Sequence, residues 1–231
     1  RNDNDRGKRQ KIVHELLSRN EDYTMHWLSY WNDLLRNDYS GPGFITEGRK
    51  QITKWLYESL KYDSSYTAMV KSLIHPGPAS EGFIKGIEWR GEVNSSQRTE
   101  MQAAQNISQS LLGMNLKCAS CHNSFVNNIT LEQSYSFASI FSKAPLEMHR
   151  CDAPTGKFVK PQFISPELGV ITADSLDERL AQLAEFITKP SNGRLYRTLV
   201  NRIWHSFFGR GIIGTLDDMD QKAWNQNLLD Y

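Results

Sequence analysis

Cys118, Ala119, Ser120, Cys121 and His122 read C-x-x-C-H. At this spacing two thiols can bond to the vinyl groups of a haem while the histidine that follows ligates its iron. The run therefore predicts one covalently held haem c, with Cys118 and Cys121 as the attachment residues and His122 as the proximal iron ligand. Such a group supplies one-electron chemistry, and its attachment takes place outside the cytoplasm. Two other chemistries use overlapping residues. A thioredoxin-like C-x-x-C sits between a strand and the helix it opens, but a helical pattern, not a strand, precedes Cys118. A zinc site would draw on Cys118, Cys121, His149 and Cys151, although the single residue between His149 and Cys151 is tighter than usual finger spacing. Of the three cysteines, Cys151 is left over by the haem reading. Free cysteine tends to be buried, so a small core residue is expected there.

The sixth ligand decides what the iron does. Histidine or methionine would close the coordination and make an electron carrier, whereas an open position would admit a small molecule. His26, in a tryptophan-rich helical stretch, is the first candidate for a distal ligand, with Met148 and His149 next. Met114 lies just before Cys118 on the same side of the ring, and Met25 points to a different helix face from His26. His14, His75 and His205 read as surface or core residues. Trp27, Trp31, Trp55, Trp89, Phe125, Phe137, Phe141 and Trp204 are available to line a haem pocket, and each alone also fits an ordinary core. Arg202 and Arg210 are candidates to bind haem propionates, against ion pairs with Asp217 or Asp218.

The elements that must position these residues are mostly helices. Apolar residues recur with helical period at Ile12, Val13, Leu16 and Leu17, and again at Trp27, Leu28, Trp31, Leu34 and Leu35. A Y-S-G-P-G break at residues 39–43 precedes a third helix over about 49–60, and Asp63 is the expected N-cap of a fourth that ends before Pro76. Residues 75–94 are expected to be irregular. Ser95 or Ser96 is placed to cap the helix that stops at Gly113 and delivers the chain to Cys118. Thr130 opens the next helix. Residues 145–175, with Phe158, Val159, Phe163 and Ile164, allow a short hairpin, and two last helices are expected over about 176–188 and 193–208. The fold class predicted is mainly α: a multi-helix domain around one haem c, with long irregular connections and at most a small β-hairpin.

With 231 residues, 39% hydrophobic, the chain has enough apolar material to close a real core. The 27 Lys and Arg against 26 Asp and Glu give a net charge of +1, which excludes recruitment of nucleic acid or an anionic membrane by bulk charge. No stretch reaches the roughly eighteen apolar residues of a membrane span. The start, residues 1–9, is polar and lacks the apolar run of a signal peptide, so a leader or upstream domain is expected to lie outside this sequence.

Three segments carry a family resemblance: G-M-N-L-K-C-A-S-C-H-N-S-F, the earlier H-E-L-L-S-R-N-E-D-Y-T-M-H-W-L-S-Y-W, and the late L-Y-R-T-L-V-N-R-I-W-H-S-F-F-G-R-G-I-I with D-D-M-D. Together, over about residues 8–220, they resemble the planctomycete-type cytochrome c domain proteins of unknown function. The resemblance implies an exported, multidomain haem protein, periplasmic, secreted or at the cell surface. It also implies that residues 1–175 form the helical haem c-binding domain and that 176–231 open a second, truncated domain. In those proteins the motif is often continued as H-D-H-K-F, whereas here Asn123, Ser124 and Phe125 follow His122; His205 directly follows Trp204, where the relatives place the basic residue one position later. The expected function is extracytoplasmic electron transfer with redox partner proteins. The alternatives are a haem-dependent oxidoreductase or peroxidase with an open distal site, and a surface module that haem stabilises.

Overall fold

The computed structural model describes residues 7–37, 50–89 and 91–230. Ten α-helices and one hairpin occur among them. In chain order the helices are α1 (Lys8–Leu17), α2 (Asn20–Leu34), α3 (Thr53–Lys61), α4 (Tyr66–Ile74) and α5 (Gly82–Lys85), then α6 (Thr99–Leu112), α7 (Leu131–Ala138), α8 (Leu176–Thr188), α9 (Gly193–Phe208) and α10 (Gln226–Asp230). Strands β1 (Leu146–Arg150) and β2 (Ala153–Val159) pair antiparallel, with Leu146 opposite Val159, Arg150 opposite Ala153, and a register shift between Glu147 and His149. The mainly helical fold with one small hairpin is as expected. The break at residues 39–43 and the start of the third helix at Arg49 lie outside the described residues.

Local chemistry explains most of the boundaries. The first two periodic stretches are joined by a single turn, with α2 beginning at Asn20 and α1 burying no residue. Asp63 does not cap α4. It sits at φ +51 in the preceding turn, and the cap is Ser65, whose hydroxyl accepts the Ala68 N–H at 3.3 Å. The first turn of a helix leaves its N–H groups without partners, and a Ser oxygen in extended backbone reaches one of them. Nor do Ser95 and Ser96 cap α6. They form a 3-10 turn over Ser95–Gln97, capped by Asn94, and α6 begins after Arg98. The sequence could not choose between these, because consecutive polar residues offer competing local hydrogen bonds. Residues 75–94, expected to be irregular, contain the short helix α5. Phe163 and Ile164 lie beyond β2, Phe163 buried in the core.

The α7 boundary came out as read. Thr130 and Gln133 form a reciprocal capping box, in which the Thr130 hydroxyl accepts the Gln133 N–H at 3.1 Å and Gln133 Oε1 accepts the Thr130 N–H at 2.9 Å. Thr130→Ala is expected to cost about 1 kcal/mol. That corresponds to a fall of about 2–4 °C in Tm for a chain of this size, measured by thermal circular dichroism.

One hydrophobic core runs from Trp31 of α2 and Leu35 just beyond its end to Leu195 of α9. It takes in α6, α7, the hairpin residues Leu146 and Val159, and Leu180, Leu183 and Ile187 of α8. The core is thus continuous across residue 175. A smaller cluster of Ile212, Ile213, Ala223 and Leu229 packs with Trp204 and Met219.

Two arginines of α9 lock these parts together at the C-terminal end of α6. Arg202, 5% exposed, donates to the carbonyls of Ser110 and Gln109, the latter at 2.6 Å, and to Asp217 at 2.9 Å. Two turns earlier on the same helix, Arg194 donates to the Leu112 carbonyl at 2.6 Å, the Gly113 carbonyl at 3.3 Å and Asp220 at 2.6 Å. The last carbonyls of a helix have no partner of their own and carry its negative dipole end, so cations stabilise them. Gly113 ends α6 at φ +53, where a β-carbon would meet Met219 Cγ at 2.4 Å and Thr198 Oγ1 at 3.1 Å. Glycine is required there by conformation and by space.

Candidate functional site

The C-x-x-C-H run lies on a loop hung between α6 and α7. After Gly113 the chain makes a 3-10 turn over Cys118–Ser120, closed by the Cys121 N–H donating to the Cys118 carbonyl at 3.2 Å. Leu116, Ala119 and Ser120 point inward and are buried, and the Ser120 hydroxyl donates to the Lys117 carbonyl at 2.6 Å. These anchors leave Cys118, Cys121 and His122 half-buried, with their side chains reachable from solvent.

Asn123 links the motif to α7. Its side-chain oxygen accepts the Leu131 N–H at 2.9 Å, and its main-chain carbonyl pairs with His122 Nδ1 at 2.7 Å. A carbonyl can only accept, so Nδ1 carries a proton, and in the neutral imidazole Nε2 is then the nitrogen with the lone pair. Among the described residues nothing is bonded to Nε2. A metal-binding histidine is commonly fixed in this way, by a hydrogen bond from its other ring nitrogen. Phe125 lies against the imidazole ring, ring centroids 4.6 Å apart and tilted 35°. Phe125 is 86% exposed and Val126 61% exposed, an apolar surface beside His122 that the folded chain does not cover. Ser124, which departs from the family pattern, has a local role: its hydroxyl accepts the N–H groups of Val126 and Asn127 at 3.3 and 3.2 Å and shapes the turn.

The tip of the hairpin completes the surroundings. Cys151, expected to be buried, is exposed, because it occupies that tip, at φ +53. Its N–H donates to the Cys121 carbonyl at 3.1 Å, and its own carbonyl accepts the Ser95 hydroxyl. Burial, opposed by a hydrogen bond from Ser120 and reinforced by Cys151 and Asp152, pushes the Cys121 thiol above its ordinary pKa. A helix with no strand leads into Cys118, which is not the strand-to-helix setting of a thioredoxin-like C-x-x-C. For the zinc alternative, no group of three His, Cys, Asp or Glu among the described residues is arranged to hold a metal ion. His149 instead shares its Nε2 with Arg98 at 3.1 Å.

The other candidates lie elsewhere. His26 is exposed on α2, edge-on to Trp27 at 5.4 Å, and α2 packs chiefly along α3, whereas the motif turn packs on α7. Met114 is buried in the core, Met148 packs against it, and Met25 is 54% exposed. His75 bonds Asp177 at 2.9 Å, and His14 and His205 lie in the last turns of α1 and α9. Trp27, Trp31, Trp55, Phe137 and Phe141 belong to the main core and Trp204 to the smaller cluster, which leaves Phe125 at the motif. Trp89 is half-buried. Arg202 takes the ion pair with Asp217, and Arg210 is exposed.

Sequence reasoning missed Asn123, whose main chain fixes the His122 tautomer, because a main-chain acceptor leaves no trace in residue type. The zinc alternative grouped Cys151 with Cys121, and the structure does bring these two residues into contact.

Comparison with known proteins gives two matches. Residues 1–145 match PSCyt2, described as a protein of unknown function (DUF1549), and residues 178–231 match PSD1, likewise a protein of unknown function (DUF1553). No curated protein and no solved structure matches the chain. The succession of the two matches agrees with the resemblance carried by the motifs around residues 14–31, 113–125 and 195–220. With well over half of its length matched, the chain belongs to the PSCyt2 family of proteins of unknown function.

Proposed function

We propose that this chain is an extracytoplasmic haem c-binding module for one-electron transfer. The observation that carries the reading is His122 itself: Nδ1 is bound to the Asn123 carbonyl, Nε2 presents its lone pair, and two reachable thiols lie just before it in C-x-x-C-H order. Cys118 and Cys121 would hold the haem covalently, and His122 Nε2 would be its proximal ligand. The haem, when bound, exchanges single electrons with redox partner proteins. The chain's own residues do the positioning. Leu116, Ala119 and Ser120 fix the turn to the core, Asn123 holds the imidazole tautomer, and the exposed Phe125 and Val126 offer an apolar surface suited to a porphyrin face. His26 remains the proposed distal ligand, and its place on exposed α2 means that ligation would require α2 to approach the loop.

An absorption spectrum of the exported chain, oxidised and dithionite-reduced, tests this directly. A pyridine haemochrome of the thioether-substituted type is the expected result. Bands unchanged by carbon monoxide would mark a six-coordinate carrier and direct mutagenesis to His26. A carbon monoxide shift would mark an open iron position and favour the oxidoreductase alternative. Absence of haem after expression with the attachment machinery would overturn the proposal.

A further inference from the structure

The hairpin tip and the haem motif share a second piece of chemistry. Cys151 is a residue with a β-carbon held at φ +53, a left-handed conformation that costs such residues roughly 1–2 kcal/mol. Two bonds hold it there, its N–H to the Cys121 carbonyl at 3.1 Å and its carbonyl to the Ser95 hydroxyl. The arrangement brings Cys151 Sγ to 4.0 Å from the carbonyl oxygen of Cys121 itself. Both are free in this structure. Cys121 is half-buried while Cys151 is exposed.

We infer that Cys121 and Cys151 form a disulfide in the haem-free exported chain. The bond is a reversible modification of the attachment cysteine itself. Its formation needs an oxidant, and a disulfide-bearing protein of the exporting compartment supplies it by thiol exchange. The Cys151 thiolate attacks that disulfide, breaks its S–S bond and releases one of its sulfurs as a thiol. The Cys121 thiolate then attacks the Cys151 sulfur, closing the Cys121–Cys151 bond and releasing the second sulfur as a thiol. Two protons leave the chain's thiols, and two electrons reduce the donor. Exposure assigns the first step to Cys151 and the second to Cys121. Cys118 keeps its thiol. Haem attachment at Cys121 then requires prior reduction of this bond, and in the haem-loaded chain Cys151 is the one cysteine left with a free thiol.

The inference rests on the haem reading for its role, while the disulfide itself is tested independently of it. The full exported chain is produced with and without the haem-attachment machinery, alkylated without reductant, digested and mapped by mass spectrometry. In the haem-free chain the expected result is a Cys121–Cys151 linked peptide, with Cys118 alkylated. In the haem-loaded chain Cys151 is expected to be alkylated and no linked peptide found. Cys151→Ser is expected to abolish the linked peptide without loss of the folded circular dichroism signal. A Cys118–Cys121 link, a bond from Cys151 to a second chain, or alkylation of all three cysteines in the haem-free chain would overturn the inference. If the attachment machinery adds no haem, the haem reading falls, and the same peptide map still decides whether Cys121 and Cys151 are bonded.

Discussion

Replacing both proposed attachment cysteines, Cys118→Ser with Cys121→Ser, is expected to abolish covalently retained haem while leaving the chain folded. The two halves of this expectation have separate grounds. Covalent retention depends on two thioethers, and serine oxygens do not make them, so haem staining after denaturing electrophoresis is expected to vanish. The fold does not depend on these side chains. Both are half-buried, and the turn is fixed by Leu116, Ala119 and Ser120, by the Cys121 N–H donating to the Cys118 carbonyl, and by the Ser120 hydroxyl donating to the Lys117 carbonyl. Substitution at such positions costs within about 0.5 kcal/mol each, so against the reduced, haem-free unsubstituted chain Tm is expected to move by about 2–4 °C at most. Each single variant keeps one thioether, and its pyridine haemochrome is expected to lie between the doubly substituted and unsubstituted types. Undiminished staining in the double variant would mean that the motif does not attach haem. Loss of the folded signal would mean that these side chains support the core, contrary to their exposure.

The reach of the sequence can be judged element by element. Helices α8 and α9 were legible to within a residue, because their apolar positions repeat with helical period and their ends carry strong signals: Ser175 as N-cap of α8, whose hydroxyl accepts the Glu178 N–H at 3.3 Å, and Gly209 at φ +74 closing α9. Gly113 and Thr130 were legible for the same reason. Boundaries failed where several polar residues compete, as at Asp63 and Ser65 or Ser95 and Ser96, since each offers a local bond of similar strength. The short helices α5 and α10 escaped because four or five residues cannot display a period. At the site, C-x-x-C-H announced itself through type and spacing, but what fixes the His122 ring is a main-chain contact. Cys151 was misread because burial statistics describe free cysteines in general, whereas this one is held at a hairpin tip by partners distant in sequence.

The same long-range logic makes Arg202 a residue whose loss should cost considerable stability. Its type and position suggested either a propionate partner or an ion pair with Asp217, and the structure adds a role that neither reading contained: closure of the α6 C-terminus through the Gln109 and Ser110 carbonyls. Arg202 is 5% exposed, and its Asp217 partner is 48% exposed. Removing the guanidinium as Arg202→Ala leaves two helix carbonyls facing a cavity that water must fill. Hydrogen bonds to charged groups are worth about 1.5–3 kcal/mol each, so the expected loss is about 3 kcal/mol. For a chain of this size, that is a fall in Tm of about 6–12 °C. Asp217→Asn is expected to cost less than about 1 kcal/mol, because a half-exposed carboxylate contributes little through an ion pair and the amide can still accept the bond. The contrast separates the two roles. If Asp217→Asn matched Arg202→Ala, the ion pair would be the source of stability and the carbonyl clamp incidental. The clamp also bears on the site, because α6 leads directly into the Cys118 turn. Release of the Gln109 and Ser110 carbonyls loosens the last turn of α6, which Arg194 still holds at Leu112 and Gly113, so Arg202→Ala is expected to lower haem incorporation at temperatures where the unsubstituted chain is fully loaded. Stain intensity per folded chain, compared between Arg202→Ala and Asp217→Asn, reads that coupling.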